Sequence, residues 1–218
     1  EDELIPNLRD AESARGVSPD LKLAWAELGF AALDLPEACD GAGLGVVARV
    51  LVNEELAAGD AGAAIALDPF GPAMTTLLEV GGEQAVSKLV DAVGFASGRA
   101  LFVSDLDAKI KVAENTIDID APWVLGEEAR AVVVLSGSEA LLLTDGFSFE
   151  PVRGAGLRAA GAARLVTRGA SIVGRWSNAD GAPRALARAR LYYASLLLGV
   201  MRATCDFSAD YAQQREAF

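Results

Sequence analysis

Apolar positions along this chain recur on two different periods, and the period changes twice. Over the first hundred residues they return every three to four positions, the spacing of a helix with one buried face. Ser18-Pro19-Asp20 marks a helix start: a hydroxyl cap, a proline where no amide is needed, and an acid in the first turn. This helix is predicted to run through Leu21, Leu23, Trp25, Leu28 and Phe30, with Gly29 near its end. Leu33-Asp34-Leu35-Pro36 is predicted to be extended, because the residue before a proline avoids the helical region. A glycine-bearing loop from Cys39 to Gly45 leads to a second helix, Val46 to Ala58, with Val47, Leu51 and Leu56 inward. Apolar segments follow from Ala61 to Leu67, broken at Asp68-Pro69, and from Pro72 to Val80, ended by Gly81-Gly82. Glu83 to Val90 reads as one more short helix.

Near Gly98 the pattern shifts to short β-type runs separated by turn residues: Ala100–Val103, Thr116–Ile119, Ala131–Leu135, Ala140–Thr144, Ala163–Thr167 and Ala170–Val173. Ser136-Gly137-Ser138, Asp145-Gly146 and Arg168-Gly169 supply turns. Ser177 to Pro183 reads as a polar linker. The helical period then returns and does not stop: Leu191, Leu197, Val200, Met201, Phe207 and Tyr211 recur on one stripe up to Phe218, with no glycine or proline after them. The expectation is an α+β chain. It has a helical domain over 1–97, a small central β barrel or sandwich over 98–176, and a linker with the first helix of a further helical domain over 177–218. The open end of that helix reads as a chain that continues.

Composition narrows the chemistry. The 218 residues contain no histidine, which removes Ser-His-Asp triads, Cys-His dyads and His-ligated metals. The net charge of −12 disfavours nucleic acid and anionic membranes as partners. Cys39 and Cys205 stand far apart in no motif and read as buried thiols in a reducing compartment. The longest apolar run, Leu191 to Met201, is too short to span a bilayer, and the acidic start is no signal peptide. A soluble, cytoplasmic protein is expected.

Local motifs are weak. Gly41-Ala42-Gly43-Leu44-Gly45 resembles half a phosphate-binding fingerprint but follows no strong strand, and reads as an interhelical loop. Glu54-Glu55 reads as a solvated face. Asp105 and Asp107 are too few for a cation site, so no metal is expected. Lys109 and Lys111 alternate on a strand as an exposed face.

Three stretches carry a family resemblance. They are Glu27-Leu28-Gly29-Phe30 through Pro36-Glu37 with the glycine turn 41–45, then Val52-Asn53-Glu54-Glu55-Leu56-Ala57, then the closing Tyr211-Ala212-Gln213-Gln214-Arg215-Glu216-Ala217-Phe218. With the domain order, they resemble the acyl-CoA dehydrogenase family. The resemblance implies FAD as cofactor, α,β-dehydrogenation of an acyl-CoA thioester, an electron-transfer flavoprotein as electron acceptor, and a homodimer, tetramer or heteromer with a paralogous subunit. It implies that Arg215 and Phe218 reach across a dimer interface to the adenylate half of FAD, since a guanidinium fits a pyrophosphate by paired hydrogen bonds. Arg190 matches a position near the CoA or acyl channel. Trp123 matches a tryptophan beside the flavin, and Ser104 a hydroxyl that bonds it.

The match fails in the middle. Asp107-Ala108-Lys109-Ile110-Lys111 stands where the family has a glycine–serine loop donating to flavin and pyrophosphate. Leu125 replaces a donor threonine. The catalytic base is expected beyond Phe218; its alternative position is Ala189, which cannot act. Three readings follow: an acyl-CoA dehydrogenase or a subunit of one, a non-catalytic subunit that completes a partner's FAD site, or a flavin monooxygenase or nitroalkane oxidase on the same fold.

Overall fold

The computed structural model describes residues 4–94, 98–154 and 156–215. Four helices come first: α1 (Leu4–Ala14), α2 (Pro19–Glu27), α3 (Gly45–Leu67) and α4 (Gly71–Val93). Helix α1 was not singled out by the sequence pattern. Helix α2 starts as predicted, with the Ser18 hydroxyl accepting from the Leu21 amide at 3.2 Å. Residues 33–35 turn and bend, and within this stretch extended backbone is seen at Pro36. The chain folds through two 3-10 turns, Phe30–Ala32 and Glu37–Cys39. The reason is a buried guanidinium: Arg49 draws in the carbonyls of Phe30 and Ala31 at 2.8 and 3.2 Å, and the segment curls around it. In the glycine loop, the amides of Gly41, Ala42, Gly43 and Leu44 donate to carbonyls of residues 32–36. A Cβ on Gly41 would meet the Leu35 carbonyl oxygen at 2.2 Å, so only glycine fits there. That loop is a packed connection whose amides from Cys39 to Leu44 are all spent on backbone carbonyls.

The breaks predicted inside the helical region appear as kinks. Asp60 interrupts α3 with extended backbone, and its Oδ1 accepts from the Gly62 and Ala63 amides at 2.8 and 3.1 Å, restarting the helix. Gly82 interrupts α4 at φ 70°, a conformation glycine adopts without strain.

The β region holds eight strands: β1 (Ala100–Ser104), β2 (Lys109–Val112), β3 (Thr116–Leu125), β4 (Ala131–Ser136), β5 (Glu139–Leu143), β6 (Phe147–Pro151), β7 (Ala162–Ser171) and β8 (Gly174–Ser177). They form two four-stranded sheets, ordered β1-β4-β5-β8 and β2-β3-β7-β6, in which only β1 and β4 pair in parallel. The two runs predicted around Arg168-Gly169 are one strand, β7. The first sheet is buried on both faces, which explains the unbroken apolar run of β4. Val132 and Val134 join Ile117, Ile119 and Leu165 of the second sheet. Val133 and Leu135 join Leu77, Val86 and Leu89 of α4. The second sheet turns its other face to water and carries Arg164 bonded to Asp120 by two 2.9 Å contacts.

Helix α5 (Gly181–Gln214) packs its first half on α3 and α4. The pairs Arg49 with Tyr192, Asn53 with Ser195, and Ala57 with Gly199 climb both helices together, so α3 and α5 run in the same direction. Contact is close because the meeting residues are small: a Cβ on Gly199 would lie 2.2 Å from the Glu54 carbonyl oxygen. Two expectations are corrected by this arrangement. Val47 and Leu51 face outward, and the buried line of α3 is Arg49, Asn53 and Ala57. The apolar stripe from Leu191 to Tyr211 is exposed, while Ala185, Ala189, Tyr192, Leu196 and Gly199 are buried. Beyond Ala203 every described residue of α5 is exposed, including Cys205, which was expected to be buried.

The buried Arg49 holds Asp34 through Nε and Nη2 at 3.1 and 2.9 Å and lies 3.7 Å from Asp68. Removing it leaves two carboxylates in the interior. Arg49→Met is expected to cost about 3–5 kcal/mol, read as a fall in Tm. Burial holds the Asp60 carboxyl above the usual carboxylate range, against the pull of the Ala63 and Gly62 amides. Its raised value favours the protonated folded state, so its contribution to stability is present at low pH and lost as pH rises through the raised value. Asp60→Asn keeps the cap and removes this slope, whereas Asp60→Ala costs about 1 kcal/mol; denaturant titrations at acidic and neutral pH distinguish the three proteins.

Candidate functional site

A cavity of about 480 Å³ lies where α3, the two sheets and α5 converge. Ala61 and Ile65 come from the second half of α3, Phe102 and Val103 from β1, Trp123 and Leu125 from β3, and Leu197 and Val200 from α5. The Asp60 kink directs that second half of α3 toward the sheets. Trp123 arrives by a different device. The β3–β7 register shifts between Ala121 and Val124, so that Pro122 and Trp123 form a bulge. Pro122 has no amide to leave unpaired there. The bulge reverses the alternation: Val124 enters the core and Trp123, 49% exposed, turns to the cavity beside Leu125.

Polar groups on the cavity wall are few. Tyr193 of α5 and Asp107 of the β1–β2 turn join the indole of Trp123. Desolvation, followed by the nearby Asp107 carboxylate, pushes the Tyr193 phenol up to about 12. At neutral pH it is therefore a hydroxyl donor and no base. Arg99 lies behind the wall with its guanidinium on the carbonyls of Ile65 and Ala160, both at 3.0 Å. Burial lowers its pKa.

The residues singled out from the sequence are not gathered in one place. Trp123 lines the cavity. Ser104 is buried at the end of β1, and its hydroxyl donates to Asp107 Oδ2 at 2.5 Å. Arg190 is exposed on α5. Arg215 caps the exposed end of α5 with its guanidinium 5.9 Å from the Tyr211 ring centre. At about 1.5 Å per residue, it stands about 22 Å along the axis beyond Val200, out of reach of this cavity. Phe218 lies outside the described residues. Ala189 is buried between helices. Asp105 accepts from the Gly137 amide at 2.8 Å and is a turn-fixing residue. Glu54 and Glu55, read as a solvated face, both bind Arg202 of α5, at 3.0 and 2.7 Å. Tyr193 and Leu197 were missed as wall residues; the helical period marked α5 as amphipathic but not which side meets the sheets.

Comparison with known proteins shows what this chain resembles. Residues 1–93 match the family model of the acyl-CoA dehydrogenase N-terminal domain. The whole chain is 28% identical, over 260 aligned residues, to the mitochondrial short-chain specific acyl-CoA dehydrogenase of Sus scrofa, and it spans 61% of that relative's length. Its fold matches butyryl-CoA dehydrogenase from Megasphaera elsdenii with a TM-score of 0.78 at 19% identity, covering 99% of this chain and 66% of that one. It also matches glutaryl-CoA dehydrogenase from Mycobacterium smegmatis in complex with FADH2, with a TM-score of 0.74 at 19% identity, covering 99% and 63%. The resemblance read from the sequence is thus shown. The chain is acyl-CoA dehydrogenase-like: a helical N-terminal domain, a two-sheet region, and a long helix after it.

FAD requires a slot for its flat ring, donors along the ring's polar edge, and amides or cations for its pyrophosphate. The apolar walls and Trp123 offer a slot. Among the described residues, donors are limited to Tyr193 and Trp123, and no lysine or arginine lines the cavity. The turn nearest it presents a carboxylate where a pyrophosphate needs positive charge. This chain's own residues do not fit FAD, and no redox step follows from them alone.

Alkaline titration checks the site's electrostatics. A phenol raised in the folded state contributes stability below its ordinary value that is lost as pH climbs from about 10 to about 12. Tyr193→Phe is expected to remove an ultraviolet phenolate transition centred near 12 and to lessen that alkaline loss.

Proposed function

We propose that this chain is a subunit of an acyl-CoA dehydrogenase-type oxidoreductase that carries out FAD-dependent α,β-dehydrogenation of an acyl-CoA thioester. The observation that supports this most is the apolar cavity at the one junction shared by α3, the sheets and α5, in a chain with this fold. In this reading the cavity walls take the acyl chain, and Arg190 lies toward the CoA portion. Trp123 lines that acyl cavity, Ser104 holds the Asp107 turn beside it, and the flavin donors and the base are supplied from outside the described residues. The units run over 1–97, 98–176 and 177–218, and electrons pass to an electron-transfer flavoprotein. No helix among the described residues is long and apolar enough to cross a membrane. The free thiols of Cys39 and Cys205 are consistent with a reducing, cytoplasmic setting.

One observation favours the narrower reading, a non-catalytic subunit that completes a partner's FAD site. The cavity's own cofactor donors are missing, while Arg215 projects at the end of a helix whose last turns touch nothing else among the described residues. A guanidinium so placed serves a neighbouring protomer better than its own.

Flavin absorbance of the assembled protein tests the proposal. The assembly is expected to be yellow and to bleach on anaerobic addition of an acyl-CoA. Arg215→Ala should lower its flavin affinity about tenfold, as expected for losing one charge-assisted contact to a phosphate. A colourless assembly, or one that acyl-CoA leaves oxidised, overturns it. For the narrower reading, the chain alone should take up little flavin and gain it on mixing with an active paralogue.

A further inference from the structure

In the turn between β1 and β2, the amides of Asp105, Leu106 and Asp107 all have acceptors within the protein. The Asp105 amide donates to the Leu135 carbonyl at 3.3 Å, the Leu106 amide to the Ser104 hydroxyl at 3.3 Å, and the Asp107 amide to the Ser104 carbonyl at 2.9 Å. The Ser104 hydroxyl in turn donates to Asp107 Oδ2. These three amides are therefore not available to an anion. Among the described residues, the sole charge on the cavity wall is the Asp107 carboxylate. Arg99, the buried cation behind the wall, has two backbone carbonyls as acceptors and does not line the cavity.

We infer that this closed acidic turn makes the cavity exclude flavin and accept an uncharged, largely hydrocarbon ligand with at most one or two acceptor atoms. The inference rests on the acyl-CoA dehydrogenase-type reading for the identity of the cofactor, and it deepens that reading by giving the site's ligand class. An anionic ring edge or pyrophosphate brought beside Asp107 meets a like charge, with only the neutral Tyr193 and Trp123 donors and no cation on the described wall to offset it. A neutral chain meets Ile65, Leu125, Leu197 and Val200 and gains by leaving water. The hydroxyl of Tyr193 and the indole N–H of Trp123 can each hold one carbonyl or ester oxygen. A volume near 480 Å³ lies within the range of small-ligand sites.

Trp123 is a built-in reporter, with Trp123→Phe as the control for its signal. The purified protein is titrated with Nile red, an uncharged dye, with methyl decanoate in competition, and separately with FAD. Nile red is expected to bind and be displaced by methyl decanoate, and Leu197→Glu should weaken the dye about tenfold or more. FAD is expected not to bind the chain alone. Asp107→Ala, which removes the charge and frees the Ser104 hydroxyl, should raise FAD affinity about tenfold or more. Asp107→Asn, which drops only the charge, should give a smaller gain and guards against a folding defect in the alanine variant. Stoichiometric FAD binding by the unmodified chain overturns the inference, as does no gain in either Asp107 variant or indifference of Nile red to Leu197→Glu. If these binding results hold but the mixed assembly never acquires flavin, the proposed function fails and the ligand class stands.

Discussion

The arrangement of this chain depends on one buried cation. Arg49 sits inside the helical layer, grips Asp34 with two nitrogens, takes the carbonyls of Phe30 and Ala31, and faces Asp68. Taking these charges out of water is costly, so the cluster is weak as a source of stability and strong as a constraint. It admits one position for the 30–35 turn and one register of α3. Asp68 also accepts from the Phe70 and Gly71 amides at 3.1 and 2.8 Å, so the same cluster fixes where α4 begins. Tyr192, its phenol kept protonated by burial and by Asp68, closes the cluster from the α5 side. Three helices and a turn are indexed by one side chain.

From that frame the site follows by two departures from regular structure. Extended backbone at Asp60 bends α3, and the bulge at Pro122 turns Trp123 out of the sandwich. Neither helix nor strand would form a cavity wall if it ran straight. The Asp60 kink is stabilised locally by its own capping of the next turn, and a separate register shift earlier in β3, between Ile117 and Ile119, is bridged by Thr167, whose hydroxyl accepts from the Ile119 amide and donates to the Ile117 carbonyl. The site is therefore held by backbone geometry more than by contacts among the wall residues.

What could be read from residues alone divides along the same line. Caps, breaks and strand cores were legible because they rest on local chemistry: Ser18-Pro19, the interruption between Ala58 and Ala61, Gly81-Gly82, and the valine run of β4. The buried faces of α3 and α5 were misread because hydrophobicity is not what packs them. Arginine, asparagine, serine, alanine and glycine are buried there, while Val47, Leu51, Leu197 and Phe207 are exposed. Helices that approach this closely select for small size and paired polarity, which a hydrophobic periodicity cannot detect. Trp123 was found by resemblance. Tyr193 was not found, because only the tertiary crossing of α5 over the sheets gives it a role. The closure of the Ser104–Asp107 turn was half visible, as a missing glycine–serine loop. Its completeness required the hydrogen bonds.

The first sheet, covered by its companion sheet on one side and by α4 on the other, has a consequence for how the protein can be divided. The change of composition near Gly98 looks like a place to cut. A segment beginning there would carry Val133, Leu135, Ala140 and Leu142 on a bare surface, having left their cover of Leu77, Val86 and Leu89 behind. Such a fragment would self-associate through that face. The helical and β regions are successive in sequence, yet neither owns a complete interior, and they are expected to melt as one cooperative body.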